Sequence, residues 1–177
     1  MSNLTETITT ITAFGVVLAQ IAIVVGIYVL VTKKPAAIFA FITEKALTLS
    51  FLIVLVATLG SFYYSNIAGF APCDLCWWQR IFLFSQLPIL TLALWKKDSS
   101  ALRHTLTLSL VGDVIALYHS YIQYGGAELI PCGADINSVS CAVRYVFAFG
   151  YITIPLMSLT TFAVLIIIAF IARKGVK

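Results

Sequence analysis

The sequence predicts an all-α integral membrane protein, a four-helix transmembrane bundle carrying one extra N-terminal transmembrane helix, for five spans in all. Three observations carry that prediction. Of 177 residues, 61% are hydrophobic and only 10% charged, and the mean hydropathy of +1.03 lies far outside the range of a soluble domain. Five stretches are nearly free of charge and long enough to approach or exceed a bilayer crossing. Nothing alternates apolar and polar residues over the roughly ten-residue segments of a membrane barrel, the other architecture that satisfies backbone hydrogen bonds in lipid.

The first stretch, Ile8 to Val31, follows "MSNLTET", which lacks a basic n-region, and its apolar run is too long for a signal h-region, so it is expected to stay as an anchor. The second runs from Ala46 to Phe70. The third, Ile81 to Trp95, is about 15 residues as a purely apolar run and reaches spanning length if Trp77 to Arg80 form an interfacial first turn. The fourth covers Thr105 to Tyr124 and the fifth Tyr145 to Ala172. Pro88 and Pro155 fall inside the third and fifth stretches and are expected to kink them. The chain thus divides into residues 1–45, the additional helix and a basic loop, and residues 46–177, the four-helix unit.

Basic residues orient the bundle. Lys33, Lys34 and Lys45 lie between spans one and two, Lys96, Lys97 and Arg103 between three and four, and Arg173, Lys174 and Lys177 after five. These nine of eleven basic residues share one face, which is expected to be cytoplasmic, with the N-terminus outside and the C-terminus inside. The net charge of +4 reflects this bias, and no basic stripe suggests nucleic acid.

All four cysteines fall on the opposite, extracytoplasmic face. Cys73 and Cys76 lie between spans two and three, and Cys132 and Cys141 between four and five. Confinement to the oxidising side points to disulfide chemistry. The loop from Gly125 to Arg144 is rich in turn formers, Gly125, Gly126, Pro131, Gly133 and Asn137, which suits a segment that exchanges partners. In "APCDLCWWQR", residues 71–80, a Cys-x-x-Cys pair opens a helix, where the helix N-terminus favours a thiolate. Arg80 follows Cys76 by four residues, one turn along the same face, while Asp74 opposes ionisation.

A static Cys73–Cys76 bridge would close too small a loop to stabilise much, and the second loop's eight-residue spacing fits a zinc ribbon poorly. Taken alone, Cys132 and Cys141 read equally well as a structural loop disulfide. Two pairs on one face also allow a thiol-disulfide relay, because exchange runs between sulfurs that can meet. A relay needs a terminal acceptor, and in a membrane the lipid-soluble candidate is a quinone.

"PCDLCWWQR", "YHSYIQ" at 118–123, the second cysteine pair and "FGYITIPLMSL" at 149–159 resemble the DsbB family, including its BdbC-type members, over about residues 46–177. The resemblance implies a quinone-linked membrane thiol:disulfide oxidoreductase. Its donor would be a soluble, extracytoplasmic thioredoxin-like (DsbA-like) dithiol protein, and its acceptor a quinone, ubiquinone or menaquinone, in the inner membrane. Redox-active disulfides would be Cys73–Cys76 and Cys132–Cys141. Cys76 would attack the quinone ring or form a charge-transfer adduct with it, and Arg80 would hold a quinone oxygen. Cys132 would form the mixed disulfide with the partner, and Cys141 would pass electrons to Cys73.

Trp77 and Trp78 read first as interfacial anchors among membrane lipids, with Trp77 a second-choice stacking surface for quinone. His119 is a further candidate for the quinone site, or a packed interfacial histidine. Asp113, mid-span, reads as a protonated acid bonded to a neighbouring helix or as a proton route. No resident metal is expected. The vitamin K epoxide reductase group shares the design but places its loop pair before the Cys-x-x-Cys, the reverse of the order here. The remaining alternative is a non-enzymatic membrane scaffold with two structural disulfides.

Overall fold

The computed structural model describes residues 3–32, 36–129, 132 and 139–175. Lys33, Lys34 and Lys177 of the basic face, and Pro131, Gly133 and Asn137 of the long loop, lie outside these residues. Helix α1 spans Asn3–Thr32, α2 Ala36–Phe62, α3 Asp74–Phe84, α4 Gln86–Lys96, α5 Ala101–Gln123 and α6 Ile154–Gly175. Among the described residues there is no strand, only an isolated bridge between Ala148 and Ile152. The protein is an all-α integral membrane protein. Among the described residues, four continuous segments are long and apolar enough to cross a bilayer: Asn3–Thr32, Ala36–Ile67, Ala101–Gln123 and Ile154–Gly175.

The expected third span is present as two helices rather than one. Pro88 has no N–H to offer the Phe84 carbonyl, and the ladder breaks at Ser85, between α3 and α4. Local side chains meet the disturbed backbone: Gln86 Nε2 donates to the Phe82 carbonyl at 2.9 Å. Ser109 of α5 then donates to Gln86 Oε1 at 3.3 Å, tying the break to its neighbour.

The second span begins ten residues before its apolar run, at Ala36, and ends in a π-helical turn over Tyr63–Ile67. There the Ala68 N–H reaches the Tyr63 carbonyl, five residues back, at 3.0 Å. Pro155 corrects an expectation. It is the second residue of α6, where a missing N–H costs nothing, and it kinks no span. Residues 145–153, expected to be helical, instead form an irregular segment with a turn at Phe149 and Gly150, whose φ values are 52° and 76°.

The central core, Val54, Leu83, Leu90, Ala116, Phe162 and Leu165, draws on α2, α3, α4, α5 and α6. Phe162 is fully buried over Gly112 of α5, where a Cβ would fall inside its ring, so the glycine sets the α5–α6 approach. Helix α1 packs on α6, with Ala13 and Val16 joining Met157 and Ile152 in a second cluster. A Cβ on Gly26 would meet Ile167 Cγ2 at 2.7 Å, so the two helices nearly touch there. The cysteine pair at the start of α3 and the basic residues Lys96 and Lys97 mark opposite ends of the α3–α4 segment.

Candidate functional site

Cys73 caps α3 in an extended conformation, ψ 174°, and its carbonyl accepts the Trp77 N–H at 3.1 Å. The x-x spacing then brings Cys76 back over it, and the two sulfurs lie 2.9 Å apart as free thiols sharing a hydrogen bond. Cys73 is 5% exposed. Its pKa is lowered from the ordinary thiol value to about 5, first by the hydrogen bond from the Cys76 thiol, and then by His119, against burial, which raises it.

Cys132 and Cys141 form a disulfide. The Cys73, Cys132 and Cys141 sulfurs all lie within 4.8 Å of one another, so the two pairs meet. The loop is held in place from α5, where Gln123 Nε2 donates to the Val143 carbonyl at 2.8 Å. Buried His119 does the rest. Gln79 of α3 donates to its Nδ1 at 2.9 Å, which leaves the proton on Nε2. That Nε2–H donates to the Cys141 carbonyl at 3.1 Å and lies 3.6 Å from the Cys73 sulfur. The sequence pointed to His119 but not to Gln79, whose only signal is an amide beside Arg80; on α3 only Gln79 and Leu83 are buried.

A cavity of about 630 Å³ opens beside the dithiol, and Cys73, Cys76, Gln79, Arg80 and His119 are part of its lining. Arg80 Nη2 donates to the Ser61 carbonyl at 3.3 Å, which holds the guanidinium across from α2. The other walls come largely from apolar residues of α1, α2 and α6. Trp77 is not part of this lining. Its ring is 54% exposed, with the Arg80 guanidinium carbon 5.2 Å above it, while Trp78 is exposed to the same degree.

Asp113 does not line the cavity either, and its buried Oδ1 has no hydrogen-bond partner among the described residues, so the expected bond to a neighbouring helix is not made by that atom. With Cys132 bonded to Cys141, the four thiolates of a zinc ribbon are not available together. Cys73, Cys76 and His119 remain three donors within 4.8 Å.

A helical membrane bundle that brings a free thiol within 4.8 Å of both sulfurs of a disulfide defines a class: membrane proteins of thiol-disulfide exchange. Comparison with known proteins makes the assignment specific. The family described as disulfide bond formation protein DsbB matches residues 43–172, and the chain belongs to that family. It is 37% identical over 130 residues, 72% of this chain and 91% of the relative, to disulfide bond formation protein C of Bacillus subtilis. Identity to the SPbeta prophage-derived disulfide bond formation protein B of Bacillus subtilis is 41% over 117 residues, 66% of this chain and 78% of the relative. A probable disulfide formation protein of Metapseudomonas resinovorans is 31% identical over 134 residues, 75% of this chain and 92% of the relative. No solved structure matches the chain. The chain is accordingly a multi-pass membrane protein of disulfide bond formation, with the oxidoreductase activity that the family's name implies.

Proposed function

We propose that the protein reoxidises an extracytoplasmic thioredoxin-like dithiol protein and passes the electrons to a membrane quinone. One observation carries this reading: Cys73 lies within 4.8 Å of both sulfurs of the Cys132–Cys141 disulfide, and Cys73 and Cys76 line a largely apolar cavity with Arg80. The cavity suits an acceptor with a small polar head and an apolar body, since Cys76, Gln79, Arg80 and His119 share a lining that is otherwise mostly apolar. A bound quinone would supply a two-electron, two-proton sink.

The chain's own residues account for the remaining steps. With the loop pair oxidised and the helix pair reduced, Cys76 delivers toward the cavity and Cys73 closes on it, so that one S–S bond forms as two electrons and two protons leave. A thiolate of the soluble partner then attacks Cys132, and Cys141 departs as a thiolate. Cys141 attacks Cys73, releasing Cys76. The partner's second thiol displaces Cys132 and leaves as an oxidised disulfide, and Cys132 then re-forms its bond to Cys141, freeing Cys73. In sum, one partner dithiol becomes a disulfide and one quinone becomes a quinol.

Cysteines on the extracytoplasmic side and basic loops inside complete the proposed topology. Residues 46–177 would be the catalytic bundle and residues 1–45 the added helix and loop. A scaffold with two structural disulfides fits less well, because Cys73 and Cys76 are free thiols. The test mixes purified protein, a quinone and a reduced thioredoxin-like substrate. Cys76→Ser should abolish substrate oxidation, and equal turnover by the variant would refute the mechanism.

A further inference from the structure

Helix α1 precedes the region matched by the family model, which begins at residue 43, yet it forms part of the cavity that holds Cys76 and Arg80. Ile11, Thr12, Gly15 and Ala19 share one helical face, and that face lines the cavity. Opposite them, Leu52, Val56 and Gly60 of α2 form a second wall. Both helices pack on α6 and touch each other only sparingly, so the space between them is a slot floored by α6. From Ser61 down to Leu52 the α2 wall runs about 14 Å, and from Ile11 to Ala19 the α1 wall runs about 12 Å, at roughly 1.5 Å per residue.

Two glycines face this slot. A Cβ added at Gly15 or at Gly60 would meet nothing within 4 Å, although Gly26 and Gly112 are glycines because a neighbour fills the space. A glycine in a helix interior is about 1 kcal/mol worse than alanine, so neither position is explained by packing within the protein. The helix is also docked at the height of the site. Tyr151 donates to Gln20 Oε1 at 2.8 Å, and the Phe14 and Phe149 rings meet edge to face at 5.0 Å.

We infer that α1 is the outer wall of the acceptor site, and that Gly15 sets the width of a slot occupied by the apolar tail of the quinone whose head lies by Cys76 and Arg80. This rests on the proposed quinone reading and adds to it a tail-specificity residue outside the family's matched region.

The test measures equilibrium binding to the full-length protein in lipid nanodiscs, by tryptophan quenching, with a long-tailed isoprenoid quinone and a tail-less quinone of the same ring. Gly15→Leu should weaken the tailed quinone about tenfold, the effect of roughly 1.4 kcal/mol of overpacking, and change the tail-less one less than about twofold. Gly15→Ala should fall between, and Val24→Leu, on the exposed face of α1, should match wild type. Unchanged binding of the tailed quinone by a Gly15→Leu variant that melts like wild type would overturn the inference, as would equal weakening of both quinones. A quinone with a photoreactive group on its tail provides a readout free of mutation: crosslinks to residues 3–32 support the wall, and crosslinks confined to α2 and α6 overturn it. If wild type binds neither quinone, the functional proposal itself fails, a result distinct from loss of tail selectivity alone.

Discussion

The imidazole of His119 donates from Nε2 to the Cys141 carbonyl across 3.1 Å. Because the same nitrogen lies 3.6 Å from the Cys73 sulfur, one side chain positions the loop cysteine against the helix cysteine. Gln79 fixes the tautomer that makes this possible.

Replacing His119 with alanine should therefore slow exchange between the loop disulfide and the helix pair. The loss of one or two hydrogen bonds of about 1 kcal/mol each predicts a slowing of roughly five- to thirtyfold. Rapid-quench trapping with a thiol-specific mass tag measures this directly, and an unchanged rate would remove His119 from the relay.

Alkylation of Cys73 should report its lowered pKa. Only the thiolate reacts, and with a pKa of about 5 the thiolate predominates at neutral pH. In the reduced protein, the rate of modification by iodoacetamide should be flat from pH 8 down to about 6, then fall tenfold per unit below about 5. A thiol near its ordinary value would lose tenfold per unit throughout that range. His119→Ala should move the fall to higher pH, because one of the groups that lowers the pKa is gone.

Gly112→Ala should destabilise the bundle by about 1–3 kcal/mol, because the added methyl collides with the Phe162 ring. Reversible denaturation in detergent measures the loss. Shrinking the ring with Phe162→Leu in the same chain should recover part of it, a non-additivity expected of touching residues.

Asp113→Asn should leave quinone reduction within about twofold of wild type, since the carboxyl does not reach the cavity. A large loss would restore the proton-route reading.

For topology, single cysteines introduced by Leu129→Cys and Ser99→Cys in a cysteine-free background should separate cleanly. Both positions are exposed and sit at opposite ends of the bundle. An impermeant maleimide applied from outside should modify the first and spare the second.

Much of this was legible from the sequence because membrane burial imposes strong composition rules. The spans fell within a few residues of α1 and α5, and the Cys-x-x-Cys, Arg80 and His119 fell at one site. Helix α2 began earlier than expected because residues 36–42 are themselves apolar and the charges that interrupt the run do not break the helix: Glu44 and Lys45 pair at 2.8 Å on its exposed surface. The irregular 145–153 segment was hidden for the opposite reason, since apolar residues packed under a loop look the same as residues in a span. Trp77 matched the family motif yet turned outward, because position in a motif does not specify the direction in which a side chain projects. Gln79 and the glycine-lined slot depend on which helices become neighbours, and no local pattern encodes that.

The Cys132–Cys141 bond is unequal at its two ends. Cys141 is 1% exposed and tied to α5 through His119, while Cys132 is only partly buried. A nucleophile arriving from water meets the more exposed sulfur first, so in the proposed relay burial favours Cys132 as the point of entry for electrons. Direction in the proposed relay is then a matter of access as well as potential: a change that exposed Cys141 would open a second door without altering any bond.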